Sequence, residues 1–318
     1  MKVIAVVLTY NRSSLLKKCI DSINKQTYQP DLTIVIDNAS TDETKDWLQN
    51  QPILSYHLDQ NVGASGGFSE CLKRGYEQGA DWIWLMDDDT IPKPNALEQL
   101  MLQLLEISPF QEEVGFLSSS VLWTDGNLHA MNLTYHLEDR KKLEKLSFAS
   151  HIDFPVIQFS TFVSILISAK AIEKVGLPLK EYFIWNDDIE YTKRIISNGL
   201  AGIAVKDSIA IHETPFNHFA SVFTDMEVPS WKYAYGLRNE LFTKRLQEGE
   251  LIFWMTWIHR MFILPFRIIL NRTNHRWLYT KLVWVSSLKA LFFNPKIEML
   301  LPKNANEKFF NQNLHQLN

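Results

Sequence analysis

Three aspartates stand side by side in "WLMDDDTIPKP", at Asp87, Asp88 and Asp89, directly after an apolar run. Adjacent carboxylates repel, so each holds its proton more tightly unless a cation intervenes. Mg²⁺ and Mn²⁺ prefer such hard oxygen ligands and bridge protein acids to phosphates. Side chains alternate in an extended segment, so Asp87 and Asp89 face one way and Asp88 the other. Two carboxylates can then hold a metal while the third bonds a hydroxyl or the backbone. A solvated turn capping the next helix is the plainer account of the same triplet.

A second acidic group, Asp187, Asp188 and Glu190 in "FIWNDDIEY", lies far downstream. One carboxylate there suits general-base work on a hydroxyl, with its neighbour orienting it. An acidic first turn of a helix explains part of the same cluster. His212 closes the strand-like "GIAVKDSIAIHE" and, as a neutral imidazole, suits a metal shell; His218 is the weaker rival. Asp37 in "IDNASTD" is placed to accept from a base or ribose, while Ser40, Thr41 and Asp42 read as a helix cap. "NVGASGGF" matches neither the Walker nor the dinucleotide spacing. Its Gly63, Gly66 and Gly67 still permit close backbone approach to an anion at a helix start, and equally a tight turn.

These residues need elements to position them. Val3–Thr9, Leu32–Asp37, Ile53–His57 and Trp82–Met86 read as buried strands. Leu15, Leu16, Cys19, Ile20 and Ile23 give helical spacing over Ser13–Gln26. The glycine loop leads to a helix over Ser69–Gln78, closed by Gly79. Further on come a helix over Asn95–Ile107, a strand over Phe159–Ser168, a helix over Ala169–Val175 and the strand into His212. Such alternation predicts an α/β fold with a mostly parallel central sheet flanked by helices. Ligands gather beyond the carboxyl ends of such strands, where "TYN", "IDNAS" and "DDD" all fall.

The 318 residues suit one large domain with an appendage. Cys19 and Cys71 provide neither a disulfide framework nor metal-ligand spacing, as in a reducing cytosol. The opening apolar stretch is too short for a signal sequence, and no window of about 20 uncharged apolar residues predicts a spanning helix. The net charge of −4 is uneven: residues 1–231 carry −12 and residues 232–318 carry +8. From Trp231 onward strand patterns give way to long aromatic-rich helices, which sets a boundary near Pro229 between a sheet region, 1–230, and a basic helical one, 231–318. A basic tail implies an anionic partner. The aromatic stretches Leu251–Leu270 and Trp277–Phe293, with Arg260, Arg267, Lys281 and Lys289, point to a membrane surface and no nucleic acid. Packing within the protein or against a second subunit, a homo-oligomer, is the alternative; Pro265 should divide the first stretch.

Taken in order, "VVLTYNR", "VIDNASTD", "NVGASGGF", "WLMDDDT", "FIWNDDIEY" and "IHE" resemble the family 2 inverting glycosyltransferases of GT-A fold, notably bacterial galactofuranosyl- and rhamnosyltransferases. "YGLRN", Tyr235 to Asn239, is similar to that subgroup's Tyr-Tyr-x-x-Arg-Asn element, with Ala234 in place of the first Tyr. The resemblance implies nucleotide-sugar binding by Thr9, Asn11, Arg12, Asp37, Asn61, Gly66, Gly67, Asp87, Asp88 and Arg238. It implies Mn²⁺ or Mg²⁺ on Asp87, Asp89 and His212, with Asp187 as base and Asp188 beside it. The implied donor is UDP-galactofuranose, with dTDP-L-rhamnose as alternative, and the acceptor a lipid-linked or growing cell-surface polysaccharide. Cytoplasmic residence on the inner membrane face follows from that. A nucleotidyltransferase would show a basic, glycine-rich signature near the first strand, which "TYNRSSLLKK" lacks. A non-catalytic binding protein would not need both acid groups intact.

Overall fold

The run VIAVVLT forms β1 (Val3–Thr9), buried at every position, because helices cover both faces of the sheet around it. The structure is a computed structural model and describes residues 1–138, 155–226 and 229–302; residues 303–318 of the expected tail lie outside them. β1 pairs in parallel with β2 (Leu32–Asp37) and β4 (Trp82–Asp87), and β2 with β3 (Leu54–His57). The crossovers are α1 (Ser13–Asn24), α2 (Thr44–Gln49) and α3 (Gly63–Glu77).

Beyond β4 the sheet turns mixed. β5 (Thr90–Pro92), α4 (Ala96–Glu106), β6 (Val114–Leu122), β7 (Ile165–Ser168), α5 (Ala169–Val175), α6 (Asp187–Ser197) and β8 (Ala201–His212) follow in the chain. The eight strands lie in the order β3-β2-β1-β4-β7-β6-β8-β5. β7 runs antiparallel to both β4 and β6 and β5 antiparallel to β8, while β6 pairs in parallel with β8, so most pairings are parallel as read from the sequence and the sheet is mixed.

Two expectations are corrected here. α3 starts at Gly63, not Ser69, so the glycines belong to the helix. A Cβ on Gly67 would sit 2.4 Å from Leu8 Cδ1, which makes glycine the residue that lets α3 lie against β1. Of Phe159–Ser168, only Ile165–Ser168 is strand. β6 was not anticipated because Ser118, Ser119 and Ser120 interrupt its apolar pattern. Their cost is met inside: Ser119 Oγ lies 2.7 Å from the hydroxyls of both Ser164 and Ser208.

After Pro229 the chain is helical, as expected: α7 (Ser230–Glu248), α8 (Glu250–Ile258), a π turn at His259–Ile263, α9 (Leu264–Asn271) and α10 (Arg276–Phe292). The π turn sits just before Pro265, which has no N–H to give the Met261 carbonyl four residues back. Trp284 supplies the missing donor, its indole N–H reaching Met261 O at 2.8 Å. Glu250–Asn271, 22 residues with mean hydropathy 1.2, is long and apolar enough to cross a membrane by length and composition alone. Arg260 and Arg267 interrupt it, so it is not an uncharged window. These helices also close onto the sheet domain: Tyr233, Leu264, Ile268 and Val283 share a core with Trp185 and Phe223. The chain then returns, and Glu298 bonds Lys73 Nζ at 2.8 Å.

Candidate active site

The acidic triplet begins on the last residue of β4 and leads into β5, whose register on β8 sets Thr90 opposite His212. The Glu213 N–H donates to Asp89 O at 2.8 Å, locking that register. His212 Nε2 thereby comes within 3.2 Å of Asp89 Oδ1. Ligand atoms of Asp87, Asp89 and His212 all lie within 4.8 Å of one another. On the far side of the ring, His212 Nδ1 is 2.9 Å from Asn132 Oδ1, an acceptor, which assigns the proton to Nδ1.

This arrangement fits a divalent cation. Asp89 Oδ1 is buried and makes no aligned hydrogen bond. Two carboxylate oxygens and an imidazole nitrogen are a donor set that Mn²⁺ and Mg²⁺ accept. Burial, then the Asp89 charge, raises the proton affinity of Asp87. Against burial, a protonated His212 and then Arg12 hold Asp89 below the usual carboxylate range. Asp88 points the other way, accepting from Thr9 Oγ1 at 2.8 Å. Arg12 Nη1 spans the pair, 2.6 Å from Asp89 Oδ2 and 3.2 Å from Asp88 Oδ1.

Thr9, Arg12 and Asn61 line the same cleft. Asn11 and Asp37 make local bonds. Asn11 Oδ1 accepts the Thr41 N–H at 2.6 Å. Asp37 is 1% exposed, with Oδ1 on the Ser40 N–H and Oδ2 2.9 Å from His57 Nδ1. Asn38, in the quoted "IDNAS" but not singled out, lines the cleft and donates to both Asn61 Oδ1 and Gly63 O at 3.1 Å. Gly66 and Gly67 are buried within α3, where a Cβ would meet Val62 and Leu8 respectively.

The turn before α6 lines the same cleft. Phe183, Trp185 and Asn186 take left-handed φ of 66°, 67° and 67°, a costly conformation for side-chain-bearing residues. Buried Asn239 holds that turn, its Nδ2 donating at 2.9 Å to the carbonyls of Tyr182, Ile184 and Trp185. Arg238 joins it, donating to Glu181 O at 2.8 Å and stacking on Phe293. Arg238 is thus a clamp on the turn. The turn delivers Asp187 at 4% exposure, its Oδ2 without a hydrogen-bond partner. Burial raises the proton affinities of Asp187 and Asp188, and the Asp187 charge raises Asp188 further. Glu190 is spent elsewhere, gripping Arg194 at 2.9 and 3.0 Å inside the protein.

Asp87, Asp88, Asp89, His212, Asp187 and Asp188 all line one cleft of about 1360 Å³. Trp185, Trp231, Lys232 and Tyr233 line it too, and none was singled out from the sequence. Nor was Asn132, whose isolated position between loop residues carries no periodic signal.

An α/β sheet with carboxylates and a histidine gathered at its strand ends has its ligand site beyond those ends. The chain belongs to glycosyl transferase family 2, whose sequence profile matches residues 4–173. It is 30% identical over 209 residues to galactofuranosyltransferase GlfT1 of Mycolicibacterium smegmatis, covering 62% of this chain and 66% of that protein. The O-antigen chain rhamnosyltransferase RfbN of Salmonella typhimurium is 48% identical over 102 residues, 32% of each chain. In fold, S. aureus TarS 1-349 in complex with UDP-GlcNAc aligns at a TM-score of 0.56 with 14% identity, over 91% of this chain and 81% of that one. The mannosyltransferase PcManGT of Pyrobaculum calidifontis, in complex with GDP-Man and Mn2+, aligns at 0.53 with 15% identity, over 98% and 79%.

Proposed function

We propose that this chain transfers a sugar, with inversion, from a nucleotide diphosphate donor to a hydroxyl of a lipid-linked or growing cell-surface glycan. The observation that carries the reading is the shared cleft, lined by Asp87, Asp89 and His212 together with Asp187. Asp87, Asp89 and His212 would hold Mn²⁺ or Mg²⁺, which when bound offsets charge on the departing nucleotide diphosphate. Thr9, Arg12 and Asn61 flank the donor. Asp187 Oδ2, buried and unpartnered, accepts the proton of the acceptor hydroxyl. The hydroxyl oxygen then attacks the anomeric carbon from the face opposite the leaving group. No covalent sugar intermediate forms, and configuration inverts.

UDP-galactofuranose is the favoured donor because GlfT1 is the relative matched over the longer stretch. dTDP-L-rhamnose is the second reading, favoured by the RfbN match. A panel of sugar nucleotides with Mn²⁺, read by thermal stabilisation and nucleotide release, tests both. UDP released from UDP-galactofuranose alone supports the first, and dTDP from the rhamnosyl donor alone the second. Failure of every sugar nucleotide to bind overturns the reading.

A further inference from the structure

Leu251, Trp254, Ile258, Phe262, Phe266 and Leu270 recur every three or four residues through α8, the π turn and α9, and all are exposed. Phe262 is 70% exposed while Arg260, two residues earlier, is 4% exposed. The hidden guanidinium bonds Glu240 at 2.6 Å and the Leu237 carbonyl. A water-facing helix arranges these groups the other way round. α10 continues the surface, exposing Trp277, Trp284, Leu288 and Phe292.

Charge narrows what covers this face. No Asp or Glu occurs from Leu251 to Ile297, whereas Arg267, Arg276, Lys281, Lys289 and Lys296 in that span are exposed. A second copy would present the same cations, setting like charges against one another. An anionic lipid headgroup layer presents the opposite charge, with hydrocarbon beneath it for the rings. The inner side of α9 is fastened to the body, since Leu264 and Ile268 pack with Tyr233 and Val283. A helix bound along one side cannot be ringed by lipid, so it lies in the membrane plane.

We infer that α8, α9 and α10 form a docking face for an anionic bilayer. Met255 belongs to both surfaces, 59% exposed on this face and lining the catalytic cleft. The cleft thus opens at the membrane plane. Resting on the proposed transferase reading, this restricts the acceptor to an amphipathic, membrane-held glycan whose hydroxyl reaches Asp187 without leaving the surface.

The test uses the full chain with two kinds of vesicle: phosphatidylcholine alone, and equal parts phosphatidylcholine and phosphatidylglycerol. Wild type is expected to float with the anionic vesicles and to dissociate at high salt. The pair Phe262→Ser and Phe266→Ser should lower partitioning about tenfold, and Lys281→Glu with Lys289→Glu should do so on anionic vesicles only. All these side chains are exposed and outside the cleft, so melting temperature and sugar-nucleotide binding should match wild type. Wild-type protein that stays with neither vesicle overturns the inference. So does a Phe262/Phe266 variant that floats normally, or one whose only change is from dimer to monomer. Intact flotation without sugar-nucleotide binding supports the face while refuting the transferase reading.

Discussion

Asp89 Oδ1 and His212 Nε2 stand 3.2 Å apart, brought together by the antiparallel pairing of a three-residue strand with the end of the longest one. Asn132 Oδ1 holds the opposite ring nitrogen at 2.9 Å. The imidazole is thus fixed in orientation and tautomer, as partners behind a metal-ligating histidine typically do.

That support should be measurable. Asn132→Ala is expected to weaken Mn²⁺ affinity by about 10- to 100-fold, and His212→Ala at least as much. Calorimetry of Mn²⁺ binding with UDP present checks it. His212→Ala with wild-type metal affinity would remove the histidine from the metal set.

Asp187 carries a prediction for rate and stability together. Burial raises its pKa from the ordinary value to about 6, against the amide bonds of the α6 first turn. A raised carboxyl stabilises the fold when protonated, and that stability is lost as pH rises through about 6. Asp187→Asn should therefore melt higher than wild type at neutral pH, the gap closing toward about pH 4. Transfer should fall by about 10²- to 10⁴-fold with donor affinity kept. In wild type with saturating metal, kcat/KM should decline below about pH 6, where the base is protonated. Near-normal transfer by Asp187→Asn sinks the assignment.

Glu190 sits three residues on but belongs to the scaffold. It is fully buried and doubly bonded to Arg194, whose guanidinium also reaches the carbonyls of Val175 and Leu177. Glu190→Ala strands that cation and should cost about 3–5 kcal/mol of stability. Urea unfolding reads the loss, while the fraction still folded should bind donor as wild type does.

What the sequence disclosed follows physical lines. β1, β2 and α5 were legible to the residue because a buried parallel strand is a plain apolar run and Gly176 ends α5 at positive φ. The acid groups were legible because carboxylates after apolar residues need a reason. β6 was hidden by serines that pay their way through partners on β8 and the chain before β7, a relation no local pattern reveals. The place of Gly67 in the fold was not legible because a glycine needed for helix-to-strand packing and one needed for a ligand look alike in one dimension. Asn132 and Trp185 reach the site only through the fold.

Arg238 and Asn239 tie this lesson to mechanism. Asn239 donates to three carbonyls of a turn that holds Phe183, Trp185 and Asn186 at positive φ. Arg238 adds a bond to Glu181 O at 2.8 Å and covers Phe293 with its guanidinium 3.8 Å from the ring centre. A backbone so far from its relaxed shape keeps it only while these bonds persist. Relaxing the turn moves Asp187, the first residue of α6, but leaves Asp87 and His212 on their own strands and Asp89 in the turn between β4 and β5. Arg238→Ala should therefore lower kcat by about tenfold with little change in donor KM, and Arg238→Lys should recover part of the loss. A raised donor KM at unchanged kcat would instead place the guanidinium on the donor. Steady-state kinetics at saturating acceptor separates the two, because a clamp acts on the base and a ligand contact acts on the nucleotide.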